Sequence, residues 1–370
     1  MVERFNAVAR RGNISFEAWF STRITSGRSW AVNESTWEFP YRYLPSLGRS
    51  EHPLAFPAPL VARDVPDLVV SLYASTAFLF GWGLARMRGT KTAFWAEVTF
   101  DSWVRRRRWK EAVKSIVLPR ADAILTAGSD GSDYVKRYGV AEERIFIVPH
   151  VIDFARYSLA SKITASERER IRDQLGLHGT TFIYVGRLWR GKGLSYLIDA
   201  FSMLQRASES EVSLLLVGDG PDEPLLRERC REEDLTNVAF AGFHQSDTLP
   251  SLLAVADAFV FPTLGDPFGM VVPEAMACGL PVISTSAAGE IRGRILDGVN
   301  GFIVPPANSA MLHLQMRRLA EDDVLRKSMG VAARRSVAGQ SPELWADAFE
   351  DAVATILGIA TKPTESIETW

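Results

Sequence analysis

In the run TTFIYVGRLWRGKGLSYLIDAF two cations, Arg187 and Lys192, stand five positions apart in a loop that also holds Gly186, Gly191 and Gly193. An apolar strand precedes the loop, and a helix opens directly after it at Leu194. Glycines let backbone approach an anion closely, the first helical turn carries partial positive charge, and two cations complete a seat for a diphosphate. A solvated loop with two surface cations would use the same residues; on chemistry alone the two readings stand level. The loop is neither a Walker A loop nor a G-x-G-x-x-G dinucleotide turn, because both spacings are absent.

A second constellation lies in FPTLGDPFGMVVPEAMACGLPVISTS. A strand ends at Pro262, the following loop carries Asp266, Phe268 and Gly269, and Glu274 falls at the start of the next helix. Seven residues separate the two carboxylates. A carboxylate there complements the helix dipole, worth ~0.3–1 kcal/mol. It is equally a good bidentate acceptor for two vicinal hydroxyls. The order and spacing of the two constellations carry more than either does alone.

These side chains need rigid elements to hold them. Short apolar strands alternate with amphipathic helices from end to end, the pattern of α/β domains with parallel sheets. In the first half, strands are expected at ISFEAWFS, DLVVSLYA, KTAFWAEV, ADAILTAG and RIFIVPHV. In the second half they are expected at TTFIYVGRL, SLLLVGDG, VAFAGF, AFVFPT, PVISTS and GFIVPP. The chain opens with a helical pattern, VERFNAVARR, where a doubly wound domain ordinarily opens with a strand and a Gly-rich turn. The N-terminal sheet is therefore expected to lack its first strand. A charged stretch, 158–172, reads as the linker between halves. The expected division is an N-terminal domain at 1–165, a C-terminal domain at 166–340, a returning helix at 341–358 and a frayed tail at 359–370.

Composition narrows the classes. The 370 residues are 47% hydrophobic and 23% charged, which excludes disordered, collagenous and coiled-coil chains. With 42 basic and 44 acidic residues the formal charge is −2, so nothing global favours a nucleic-acid partner. Two cysteines, Cys230 and Cys278, in unrelated contexts exclude a disulfide scaffold and a Cys-based zinc site, and point to a reducing, cytoplasmic setting. The first twenty residues hold no signal-peptide core. The uncharged stretch 68–85 reaches the length of a membrane span, but its character changes halfway and it reads as a strand followed by a helix.

Four motifs now fall in order: VGRLWRGKG (185–193), VGDGP (217–221), FAGF (240–243) and DPFGMVVPE (266–274). This succession resembles the retaining glycosyltransferases of the large family-four group, also described as glycosyl transferases group 1, over about residues 170–305. The approach ADAILTAGSDGSDYVKRYGVAEERIFIVPHVID (121–153) is similar to that family's more weakly, with His150-Val151-Ile152-Asp153 where Asn-Gly-Val-Asp is usual. The resemblance implies a GT-B fold, two Rossmann-like domains facing across a cleft. It implies transfer of a sugar from a UDP-, GDP- or ADP-linked donor to a hydroxyl on a small molecule, lipid or glycan. Retention would proceed on one face, with no metal and no bound cofactor; no convincing Asp-x-Asp pair is present.

By the same resemblance, Arg187 and Lys192 would grip the donor diphosphate, with Gly186 beside them. Glu274 would accept the ribose hydroxyls, and Asp266 would stand beside the donor sugar. Phe268, Gly269, Met270 and Val271 would offer backbone N–H groups, and the base would lie near Gly242, Phe243 and His244. Aspartate for glutamate at 266 shortens the reach by ~1.5 Å. Many relatives carry a histidine facing the reacting sugar, yet no histidine lies between His52 and His150. Glu97, at a strand end, is the candidate near the acceptor, with a plain surface carboxylate as the equal reading. Arg105, Arg106, Arg107 and Arg108, between Trp103 and Trp109, read first as a solvated helix start and second as a contact with an anionic acceptor or with acidic lipid headgroups on the inner membrane face. Rival readings are a non-catalytic or impaired nucleotide-sugar binder and, less favoured, a nucleotide-sugar epimerase. A dehydrogenase fits worst.

Overall fold

Wherever apolar strands alternate with helices, the strands must be covered on both faces, and this chain meets that demand twice. The computed structural model describes residues 1–21, 33–47, 54–55, 65–72, 76–97, 99, 108–245, 247–290 and 293–359. The chain divides into two compact units, the first reaching Val151 and resuming at Pro342, the second running from Ile152 to Ser341.

The first unit opens with α1 (Val2–Arg11), followed by the short strands β1 (Ala18–Phe20), β2 (Tyr41–Tyr43), β3 (Ser46–Leu47) and β4 (Leu54–Ala55). Its main sheet is built by β5 (Leu68–Leu72), α2 (Thr76–Met87), β6 (Lys91–Ala96), α3 (Arg108–Val117), β7 (Ala123–Thr126), α4 (Ser129–Lys136) and β8 (Ile145–Ile147). The four long-range strands pair in parallel in the order β5-β6-β7-β8. Consecutive order with right-handed crossovers puts every connecting helix on one face. There Phe94, Ala96 and Ile124 pack with Val117 of α3 and with Tyr134 and Val135 of α4. The alternate residues Ala93, Trp95, Ala123 and Leu125 face the other way. That face is covered by α1 and by α13 (Pro342–Leu357), whose Trp345 stacks on Trp95 at 5.6 Å.

In the second unit the elements are α5 (Phe154–Ala160), α6 (Ala165–Leu175), β9 (Thr180–Val185), α7 (Leu194–Ala207), β10 (Val212–Val217), α8 (Glu223–Glu232) and β11 (Val238–Gly242). They continue as α9 (Leu249–Ala254), β12 (Ala258–Phe261), α10 (Val271–Ala277), β13 (Val282–Thr285), β14 (Gly301–Val304), α11 (Ser309–Glu321) and α12 (Asp323–Ser336). Six parallel strands take the order β11-β10-β9-β12-β13-β14 around one apolar core. The winding reverses between β9 and β12, which makes that the switch point of a doubly wound sheet.

Two expectations are corrected. The stretch 158–172 is no linker: it lies in the second unit, mostly as α5 and α6. Two of its charges are docked, with Arg168 and Arg172 reaching Asp257 at 2.9 and 3.4 Å. The strand of ISFEAWFS is only three residues long and pairs with β2 outside the main sheet. The helices α5 and α9 went unread. The stretch 68–85 resolves into β5 and α2, and no helix among the described residues is long and apolar enough to cross a membrane.

Candidate active site

The loops after β9, β10 and β12 meet at the carboxyl edge of the second unit's sheet, beside the switch point. Backbone bonds stitch them together. Gly186 N–H donates to the Val217 carbonyl at 2.9 Å, Leu188 N–H to Asp219 at 2.7 Å, and Leu264 N–H to Gly191 at 3.0 Å. Two glycines are obligatory here. Gly193 sits at φ +69°, where a Cβ would lie 2.0 Å from the Pro262 carbonyl oxygen. Gly218 sits at φ +138°, where a Cβ would lie 1.9 Å from the carbonyl of Gly186. The glycines thus bring three loops closer than side chains allow.

Lys192 reaches across the switch point and donates to Asp266 Oδ2, its amine also 5.6 Å from the Phe261 ring centre. The other oxygen, Oδ1, accepts from Phe268 N–H at 2.9 Å and Gly269 N–H at 2.6 Å. Asp266 therefore closes its own turn, in the manner of aspartates that bond backbone two and three residues on. Two of the four N–H groups expected to face a ligand, those of Phe268 and Gly269, are committed to this carboxylate. Met270 and Val271 lead into α10. Arg187 is exposed at the loop's start. Gly242 ends β11 at a register shift, its carbonyl accepting from Gly218 N–H at 2.7 Å. Phe243 and His244 follow it, with His244 Nδ1 at 3.2 Å from the Thr248 hydroxyl.

Two tyrosines complete this framework and were not anticipated. Tyr184, fully buried in β9, donates to the Arg187 carbonyl at 3.0 Å and holds the base of the cationic loop. Burial, reinforced by the charge of Asp266, keeps its phenol protonated well above the ordinary range. Tyr157 of α5 is buried near Glu274; burial first, then the charge of that carboxylate, pushes its phenol up. The first could be sought from sequence, since a tyrosine inside an apolar strand needs a polar partner. The second could not, because 117 positions separate it from Glu274. Cys278, a turn beyond Glu274, is a packed thiol pushed up to about 12 by burial.

Glu97 lies in the first unit, just beyond the carboxyl end of β6. Burial raises its carboxyl above the ordinary range, against the opposing charge of Arg4. His150, buried in the loop after β8, places Nε2 at 3.7 Å from Glu97 Oε1. Arg4 lies 2.7 Å from His150 Nδ1 and donates to the Val151 carbonyl at 2.6 Å. A guanidinium only donates, so Nδ1 accepts and the ring proton sits on Nε2, toward Glu97. Arg105, Arg106 and Arg107 lie outside the described residues, as does the side chain of Arg108.

Residues 167–336 match the family model described as Glycosyl transferases group 1. A mannosylfructose-phosphate synthase of Agrobacterium fabrum is 32% identical over 192 residues, 50% of this chain and 41% of the relative. A D-inositol 3-phosphate glycosyltransferase of Corynebacterium kroppenstedtii is 30% identical over 251 residues, 64% of this chain and 55% of the relative. The chain thus spans about half the length of the curated relatives it matches. Among solved structures, Anabaena Alr3699/HepE in complex with UDP and glucose superposes with a TM-score of 0.76 at 21% identity, covering 95% of each chain. The sucrose-phosphate synthase of Thermosynechococcus elongatus does so with a TM-score of 0.77 at 19% identity, covering 96% of this chain and 92% of that one. These likenesses bear out the α/β, GT-B expectation for the fold. All four motifs fall within residues 167–336, and it is this stretch of the chain that is similar to the glycosyl transferases group 1 family.

Proposed function

We propose that the protein transfers a sugar from a nucleoside diphosphate donor to a hydroxyl-bearing acceptor, retaining the anomeric configuration. One observation carries this reading. A lysine and its paired aspartate stand on the loops flanking the switch point of a doubly wound sheet, where such folds bind ligands, and Glu274 stands in the first turn of the helix that follows. The relatives named as glycosyltransferases support transfer, and a neighbour of the same fold that holds UDP and glucose supports UDP among the UDP, GDP and ADP alternatives.

In this scheme Lys192 exchanges the Asp266 carboxylate for the donor diphosphate, joined by Arg187 at the mouth of the loop. Their charge stabilises the diphosphate as the anomeric bond breaks, so the scheme calls for no metal. The acceptor oxygen bonds to the anomeric carbon on the face the diphosphate leaves, and its proton passes to a diphosphate oxygen. Glu274, near Tyr157, accepts the ribose hydroxyls, and the base lies by Gly242, Phe243 and His244. Glu97 is the proposed contact for a hydroxyl of the acceptor. The membrane role of the four arginines stays a proposal for residues outside the described set.

The test is donor turnover by Lys192→Ala. Losing a charge-stabilising group should cut the rate by about two orders of magnitude or more. An unchanged rate would sink the assignment. A nucleotide-sugar binder without transfer is the second reading, favoured by the commitment of the Phe268 and Gly269 N–H groups to Asp266. Calorimetric binding of UDP-glucose with neither transfer nor hydrolysis would select it.

A further inference from the structure

The first unit carries a polar cavity at the amino ends of its strands. Its volume is about 470 Å³, and Arg86, Lys91, Arg120 and Arg144 line it together with a single carboxylate, Asp122. Lys91 opens β6 and Glu97 follows that strand's end, so the cavity and Glu97 lie ~20 Å apart at opposite edges of the sheet.

The four cations are held, but largely by neutral oxygens. Lys91 donates to the Ile356 carbonyl at 2.5 Å, Arg86 to Arg120 at 2.7 Å, Arg120 to Ile116 at 2.7 Å and Arg144 to Pro119 at 3.3 Å. Asp122 accepts from Thr92 N–H at 2.8 Å and from the Thr92 hydroxyl at 3.0 Å, and stands 3.9 Å from Arg86. Cations at helix ends have a bland purpose, to complement the C-terminal dipole, and α2, α3 and α13 all end here. The magnitudes decide against that as the whole account. Three helix ends supply about −0.5 charge each, and with Asp122 they cancel roughly 2.5 of four positive charges. The surplus stays positive, and each guanidinium has five N–H donors in a planar fork that suits phosphate.

The geometry points to a binding site for a phosphate-bearing anion, either a free phosphorylated solute or a phospholipid headgroup. The volume lies in the range of small-molecule sites and exceeds the needs of a single ion. The site would act apart from the sugar-transfer centre, as a regulatory or anchoring contact.

The probe is inorganic pyrophosphate, titrated calorimetrically at constant ionic strength into the full chain carrying Arg187→Ala and Lys192→Ala. Those two changes remove the other diphosphate-seeking cations, so success or failure here is independent of the donor-site reading. One binding event is expected, weakened about tenfold or more by adding Arg86→Gln and Arg144→Gln. Both arginines are exposed, so the core is untouched. Arg144→Gln alone repeats the comparison should the combined variant fail to fold. No binding, or binding indifferent to these changes, overturns the proposal. Co-sedimentation with phosphatidylglycerol vesicles, against phosphatidylcholine vesicles, separates the sources. Retention on the anionic vesicles that Arg86→Gln and Arg144→Gln abolish assigns a headgroup. Pyrophosphate binding without retention assigns a soluble phosphate.

Discussion

At position 266 one carboxylate serves three donors, Lys192 and the N–H groups of Phe268 and Gly269. A shorter acid suits that task, because its reach matches a turn onto its own backbone. The placing of Tyr157 near Glu274 makes a distinct claim about the ribose. Tyr157→Phe should weaken UDP about tenfold, the scale of a hydrogen bond to a charged group, while leaving a 2′,3′-dideoxy analogue nearly unaffected. Equal weakening of both in calorimetry would show that the phenol does not act through Glu274 on the ribose. Glu97 makes a pH-dependent claim. Its raised pKa means that the folded chain favours the neutral acid, so its contribution is fullest below the ordinary carboxylate value and is lost as pH rises through the raised one. Relative to Glu97→Gln, the native chain should therefore lose stability as pH rises above the ordinary carboxylate value of about 4.5. A difference in Tm that is flat with pH would contradict this.

At the scale of elements, the close approach of the loops after β9 and β12 is a steric demand. Gly193→Ala forces both a positive φ and a collision with the Pro262 carbonyl. A loss of about 1–3 kcal/mol is expected, read as a shifted urea midpoint together with weaker UDP binding. The longer helices were legible: the helix expected within 68–85 is α2 (Thr76–Met87), and the returning helix expected at 341–358 is α13 (Pro342–Leu357). The short ones were not. The helices α5 and α9 have seven and six residues, too few turns for a period to show, and they persist through packing. Their omission mattered, since α5 carries Tyr157. The run 158–172 misled for the opposite reason: charge suggests a solvated linker, but Asp257, far along the chain, supplies the partner.

At the scale of the molecule, α13 returns to the first unit because that unit's sheet needs it. Consecutive strand order leaves one face without crossover helices, and α1 and α13 cover it with Val8, Trp345, Phe349 and Val353. Trp345→Ala should cost the first unit ~3–5 kcal/mol, while a second-unit transition followed by a local probe stays in place. A shift common to both transitions would refute that independence. By itself, the order of VGRLWRGKG, VGDGP, FAGF and DPFGMVVPE determined the resemblance and which strand ends hold the motifs, because glycines, cations and strand boundaries are local signals. Only the tertiary structure decided which partner each charged side chain takes. Lys192 with Asp266, Tyr157 with Glu274, and Arg4 with His150 join residues remote in sequence, and such pairings depend on strand order and helix docking that no local pattern encodes.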